Sequence, residues 1–199
     1  VLPGELTVFA GQSGSGKSTL MNCIAGLDTP TTGTVLHEGV DIHAMPNREL
    51  TRWRGENIGF VLQAANLTGG SVKENIVNPH KLIGNDLDSS WLFELVKTLG
   101  ITDQLDKRPN QLSGGQRQRV AIARALAHQP RIVFADEPTA ALDSENRHAV
   151  YSLFKSLVDT SGVTVVMVAH DDVATSTDYA DKIVRLADGK VRGSSLFSQ

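Results

Sequence analysis

Residues 11–19 read GQSGSGKST, and their types and order suit one task, the binding of phosphate. Gly11, Gln12, Ser13, Gly14, Ser15, Gly16, Lys17, Ser18 and Thr19 fit the pattern G-x-x-x-x-G-K-[ST]. The glycines let successive backbone N–H groups wrap an anion, and the start of a following helix adds positive potential. Lys17 has the reach to meet the outer phosphates of a nucleotide, and the Ser18 hydroxyl can ligate Mg²⁺. A second constellation is RIVFADEP, residues 131–138, an apolar run ending in two carboxylates. Asp136 can hold Mg²⁺ directly or through water. Glu137, one residue on, can orient or deprotonate a water facing the terminal phosphate.

Two further polar side chains close apolar runs. Gln63 ends IGFVLQ and His170 ends VTVVMVAH, at strand edges where α/β sheets gather their ligands. His37, His43, His80, His128 and His148 have no comparable setting and are assigned no role. The segment LSGGQRQR, residues 112–119, sets Gly114 and Gly115 where a helix should begin. A helical glycine costs roughly 0.5–1 kcal/mol relative to alanine. Either Ser113 caps a flexible first turn, or something comes very close to the backbone there.

These residues need a sheet whose strands end together. Leu6–Ala10 reads as a short strand running into the glycine turn, and Lys17–Leu27 has helical periodicity. Strand-like stretches recur at Thr34–His37, Ile58–Leu62, Ile132–Ala135, Val163–Ala169 and Lys182–Leu186. Several are unbroken apolar runs, as in parallel strands buried on both faces. Helical segments lie between many of them, which predicts an α/β layered architecture. From about Ala64 to Gln111 the alternation breaks. That stretch holds the loop NLTGGSVKENI and an amphipathic helix near Asp88–Leu99, with Trp91, Leu92, Leu95, Val96 and Leu99 on its apolar side. The expected division is a core of residues 1–63 and 117–199, with a helical subdomain at 64–116 that carries LSGGQ.

With 199 residues, 40% hydrophobic and 21% charged, the composition is that of a globular protein with one substantial core. A net charge of −3 gives no support to a nucleic-acid-binding surface. The single cysteine, Cys23, allows no internal disulfide and fits a reducing compartment; its apolar neighbours predict a buried structural thiol. No apolar run approaches the ~20 residues that span a bilayer. The chain opens directly into a strand without an initiator methionine, so an upstream continuation is expected.

The order LSGGQRQRVAIARAL, then FADEPTAALD, then a strand ending in AH, then DKIVRLADGK resembles an ABC-transporter ATPase domain over nearly the whole chain. The resemblance implies a P-loop NTPase core with a mostly parallel sheet, an inserted helical subdomain, and N-terminal strands of the family lying before residue 1. It implies ATP and Mg²⁺ as cofactors, with ATP hydrolysis powering transport through a separate transmembrane permease. Two ATPase subunits would pair head to tail, so that Ser113, Gly114, Gly115 and Gln116 of one meet the γ-phosphate held by the other. Glu137 resembles the catalytic glutamate, His170 the switch histidine and Asp143 the interface aspartate. Gln63 resembles the glutamine that joins Ser18 and Asp136 around the metal and couples the core to the helical subdomain. The resemblance also implies a catalytic part for Lys17 at the γ-phosphate. A cytoplasmic location on the inner face of the cell membrane follows from the membrane partner, and no nucleic acid is expected.

ADEPTAALDS resembles the ATPases of lipoprotein release and macrolide export, and NLTGGSVKENI is similar in spacing to a segment of exporters with fused membrane domains. Both lean towards export. The family stacks an upstream aromatic residue on adenine; here Phe9 lies within the strand entering the loop, so weak and poorly base-selective nucleotide binding is expected of these residues. Two alternatives stay open: a soluble ABC-type ATPase acting on nucleic acid or the ribosome, and a non-hydrolysing ATP-sensing module.

Overall fold

The computed structural model describes residues 1–82, 84, 86–140, 142–169, 174 and 178–196. Along the chain run β1 (Leu6–Ala10), α1 (Lys17–Ile24), β2 (Leu36–His37), β3 (Val40–Asp41), α2 (Asn47–Asn57), β4 (Ile58–Val61) and α3 (Val72–Leu82). There follow α4 (Ser89–Thr98), α5 (Gly114–Leu126), β5 (Ile132–Asp136), α6 (Ser144–Ser161), β6 (Thr164–Ala169), β7 (Lys182–Ala187) and β8 (Lys190–Leu196). Six strands form one sheet in the order β4-β5-β6-β1-β7-β8. All neighbours are parallel except the β7–β8 pair at the edge. The fold is α/β with a mostly parallel sheet.

Both faces of the sheet are covered, as the unbroken apolar runs require. Every residue of β1 and β6 is buried. Leu6, Val8 and Ala10 with Val165, Met167 and Ala169 face one core cluster, packed under α3, α4, α5 and α6. Phe9, Val166 and Val168 face the other, with Met21 and Ala25 of the α1 segment. The period-2 alternation that is silent in hydrophobicity thus reappears as a choice between two cores. Helix α5 comes so close to β4 that a Cβ on Gly59 would overlap the Ala125 carbonyl oxygen.

Four expectations from the sequence are corrected. The strand expected at Thr34–His37 shrinks to β2, which pairs antiparallel with β3 outside the main sheet and leaves Leu36 and Val40 exposed. Helix α1 stops at Ile24 because the chain turns into the left-handed Gly26, and the Cys23 and Ile24 carbonyls accept hydrogen bonds from His43 and His37. Cys23 is half-buried there rather than enclosed. The stretch NLTGGSVKENI is a loop only as far as Ser71: the Ser71 hydroxyl accepts from the Glu74 N–H at 3.2 Å and the Glu74 carboxylate from the Ser71 N–H at 2.7 Å, a reciprocal cap that starts α3. The amphipathic helix is α4 with Asp88 as its N-cap; Leu95, Val96 and Leu99 are buried and Trp91 and Leu92 pack on the same core. Among the described residues no helix is long and apolar enough to cross a membrane.

Candidate nucleotide site

The loop from Gly11 to Gly16 joins the C-terminal end of β1 to the N-terminus of α1. Gly14 and Gly16 have φ of 77° and 94°, a left-handed backbone that glycine adopts without penalty. Gly11 serves proximity instead, since a Cβ there would overlap the Leu186 carbonyl of β7. Lys17 is buried, and its ammonium donates to the Gly11 and Gln12 carbonyls at 2.8 and 2.9 Å. The loop therefore wraps around its own cation. From behind, the Gly189 N–H of the β7–β8 turn donates to the Ser15 carbonyl at 3.2 Å. Gln12, Ser13, Gly14, Ser18 and Thr19 are exposed around the mouth of the loop and the first turn of α1.

The sheet brings β5 to the same edge, with β6 between it and β1. The Ser18 hydroxyl donates to Asp136 Oδ1 at 3.2 Å. Burial pushes the Asp136 carboxyl above its usual range, and the neighbouring Glu137 charge adds to the rise. Ser18 and Lys17 oppose it. A hydroxyl and a carboxylate this close, the latter short of compensating charge, suit a hard divalent cation such as Mg²⁺. No group of three or more His, Cys, Asp and Glu side chains among the described residues could hold a metal alone. A cation bound by Ser18 and Asp136 leaves room for other oxygen ligands, a side-chain amide, water or phosphate, as Mg²⁺ accepts.

Glu137 has φ of 44°, a conformation costing non-glycine residues about 1 kcal/mol or more. It is held by its neighbours: the Glu137 N–H donates to the Val168 carbonyl of β6 at 3.0 Å, and its own carbonyl accepts from Ala140 N–H at 3.2 Å. Two residues on, the buried Thr139 hydroxyl lies 2.7 Å from the hydroxyl of Tyr151 in α6. The turn after β5 is thus pinned from two sides, and the strain it carries sits at a carboxylate beside the loop.

Gln63 lies two residues beyond the end of β4, exposed in a bend, and not on the strand as the sequence predicts. Its surroundings are fastened by α5. Gln118 donates to the Leu62 carbonyl at 3.4 Å, and Arg124 donates to the Ala65 and Asn66 carbonyls at 2.7 and 3.0 Å. Sequence reasoning passed over Gln118 and Arg124, although a glutamine among the apolar positions of a helix is the visible signal. His170 lies outside the described residues.

The first turn of α5 gives the paired glycines a local account. Ser113 is the N-cap: its hydroxyl accepts from the Gln116 N–H at 3.2 Å, and the Gln116 side chain accepts from the Ser113 N–H at 2.9 Å. Gly114 is exposed, and a Cβ on it would meet nothing nearer than Leu142 at 3.7 Å. Gly115 is buried against Asn146 of α6. Asp143 is exposed and caps α6, accepting from the backbone and side-chain N–H groups of Asn146, which hold its carboxyl below the usual range. The structure thus joins Gly11–Thr19 with Asp136, and separately joins Gly115 with the Asp143–Asn146 turn.

The ABC transporter family model matches residues 1–140. The lipoprotein-releasing system ATP-binding protein LolD of Colwellia psychrerythraea is 40% identical over 95% of this chain and 74% of its own. The macrolide export ATP-binding/permease protein MacB of Rhodopirellula baltica is 40% identical over 94% of this chain, which spans 28% of that longer protein. Among solved structures, the dimeric cassette MJ0796 superposes with a TM-score of 0.86 at 39% identity, covering 100% of this chain and 88% of that one. A second structure of that cassette is a post-hydrolysis state bound to ADP and phosphate.

Proposed function

The chain belongs to the ABC transporter family of ATPases, and from that premise we propose that it binds Mg·ATP and hydrolyses it between two subunits paired head to tail. The observation that carries this reading is the meeting of Ser18 with Asp136 at 3.2 Å, in front of a glycine loop closed on the buried Lys17. In this reading the loop N–H groups of residues 11–16 and the α1 N-terminus hold the phosphates, and Lys17 leaves the loop carbonyls to meet the β- and γ-phosphates. Ser18, Asp136 and Gln63 would hold Mg²⁺, which would supply positive charge to the phosphates. Glu137 takes a proton from the attacking water, and His170 contacts the γ-phosphate. Ser113, Gly114, Gly115 and Gln116 face the nucleotide of the second subunit, with Asp143 at the same interface. Residues 64–116 act as a helical unit that passes closure of the dimer to a membrane-spanning permease.

Membership beside lipoprotein-release and macrolide-export proteins supports export, and a peripheral position on the inner membrane face follows from the permease. Lys17 supplies the first test. Lys17→Ala should lower Mg·ATP hydrolysis by about 10²-fold or more, the usual loss when one donor to a developing anion is removed. Turnover in Lys17→Ala equal to that of the wild type in a phosphate-release assay overturns the assignment.

A further inference from the structure

The buried glycine in the first turn of α5 has a neighbour to which the proposed function gives no task. A Cβ built on Gly115 would lie 2.8 Å from Oδ1 and 3.2 Å from Cγ of Asn146. The same amide donates from Nδ2 to Asp143 Oδ2 at 2.8 Å, while the Asn146 backbone N–H donates to Asp143 Oδ1 at 2.9 Å. One planar group is therefore fixed at one end by Asp143 and abutted at the other by the α5 backbone. Glycine is the residue that lets α5 come this close. Alongside, Leu142 approaches the Gly114 position, so the two segments meet through Leu142 and Asn146.

We infer that Asn146 is a positioning residue that fixes the first turn of α5, Ser113–Gln116, against the Asp143 turn downstream of Glu137. The inference rests on the reading that these two segments face a second subunit's nucleotide. Its consequence is that the backbone offered to that nucleotide and the interface aspartate keep a constant offset within each subunit. A misplacement on the order of 1 Å at such a site can cost about 10²-fold in rate. Chain sterics also favour glycine here independently of any ligand, since a Cβ at residue 115 would push the Asn146 amide away from its place.

The test is a double-mutant cycle on Mg·ATP hydrolysis with Asn146→Ala, Gly115→Ala and the two combined. Asn146→Ala keeps the backbone cap from Asp143, so α6 should survive, and its thermal midpoint is recorded as the control. Its kcat should fall about tenfold with KM for ATP nearly unchanged, because the loop at residues 11–19 is untouched. Gly115→Ala should be costly in the wild-type background and cheap in the Asn146→Ala background, which leaves room for the added methyl group. Asn146→Ser, able to donate to Asp143 but too short to reach α5, should lose kcat as Asn146→Ala does. A serine variant with full turnover reduces Asn146 to a hydrogen-bond partner of the Asp143 cap and overturns the inference. So does a Gly115→Ala penalty that is equal in both backgrounds. Wild-type turnover, measured alongside, reports on the proposed function itself, so the two failures are distinguishable.

Discussion

Asp136 concentrates the conflict between stability and function at the residue scale. Its carboxyl is half-buried beside Glu137, and burial raises its proton affinity. A carboxyl whose folded-state pKa lies above its unfolded value helps stability when protonated at low pH, and that help is lost as pH rises through the folded value. At neutral pH the ionised group is therefore a cost that a bound cation would offset. Asp136→Asn removes the charge and keeps an oxygen for Ser18. The variant should melt higher than the ligand-free wild type at neutral pH, with the difference shrinking in acidic buffer, while Mg²⁺-dependent hydrolysis is lost. A variant that melts lower at neutral pH would show that the carboxylate is satisfied without a cation. Glu137 makes the complementary point. Its left-handed backbone has no signature in the sequence, because the bonds to Val168 and Ala140 that impose it come from the sheet and the turn.

At the scale of elements, the first turn of α5 separates two reasons for a glycine. Gly115 is buried on Asn146, so a large residue there would damage the protein before any ligand arrived. Gly114 is exposed and has space for a side chain. Gly114→Trp is therefore the cleaner probe of whether a partner's phosphate approaches this turn. Its thermal midpoint should stay near the wild-type value and nucleotide should still bind the loop of residues 11–19, while ATP-dependent dimerisation and hydrolysis fail together. Dimerisation that survives Gly114→Trp contradicts the placement of this turn at the interface. The strands lining the site were legible because β1, β5 and β6 are buried on both faces and carry few polar residues to blur them. Elements with less to bury were not. Strand β8 is an exposed edge without an apolar run, β2 and β3 are two residues each, and the start of α3 follows two glycines that mask the capping box of Ser71 and Glu74. The Gln63 segment was misplaced by two residues because its backbone partners, Gln118 and Arg124, lie more than fifty positions away in sequence.

On the scale of the whole molecule, one sheet edge gathers the glycine loop, Ser18, Asp136 and Glu137, while the first turn of α5 sits with Leu142, Asp143 and Asn146. A single chain thus carries two separate groups of these residues. The proposed function joins them only by placing the α5 turn of one subunit over the nucleotide of the other, and everything else in it depends on this pairing. Glu137→Gln tests it most directly, because the amide cannot accept the water's proton yet leaves the loop, Ser18 and Asp136 in place. Hydrolysis should fall by about 10²–10⁴-fold, the usual contribution of a general base, while Mg·ATP binding persists. With turnover blocked, sedimentation of the Glu137→Gln protein should show a dimer that forms with Mg·ATP and is absent with Mg·ADP. A Glu137→Gln protein that remains monomeric in saturating Mg·ATP, or that hydrolyses it at the wild-type rate, would contradict the account.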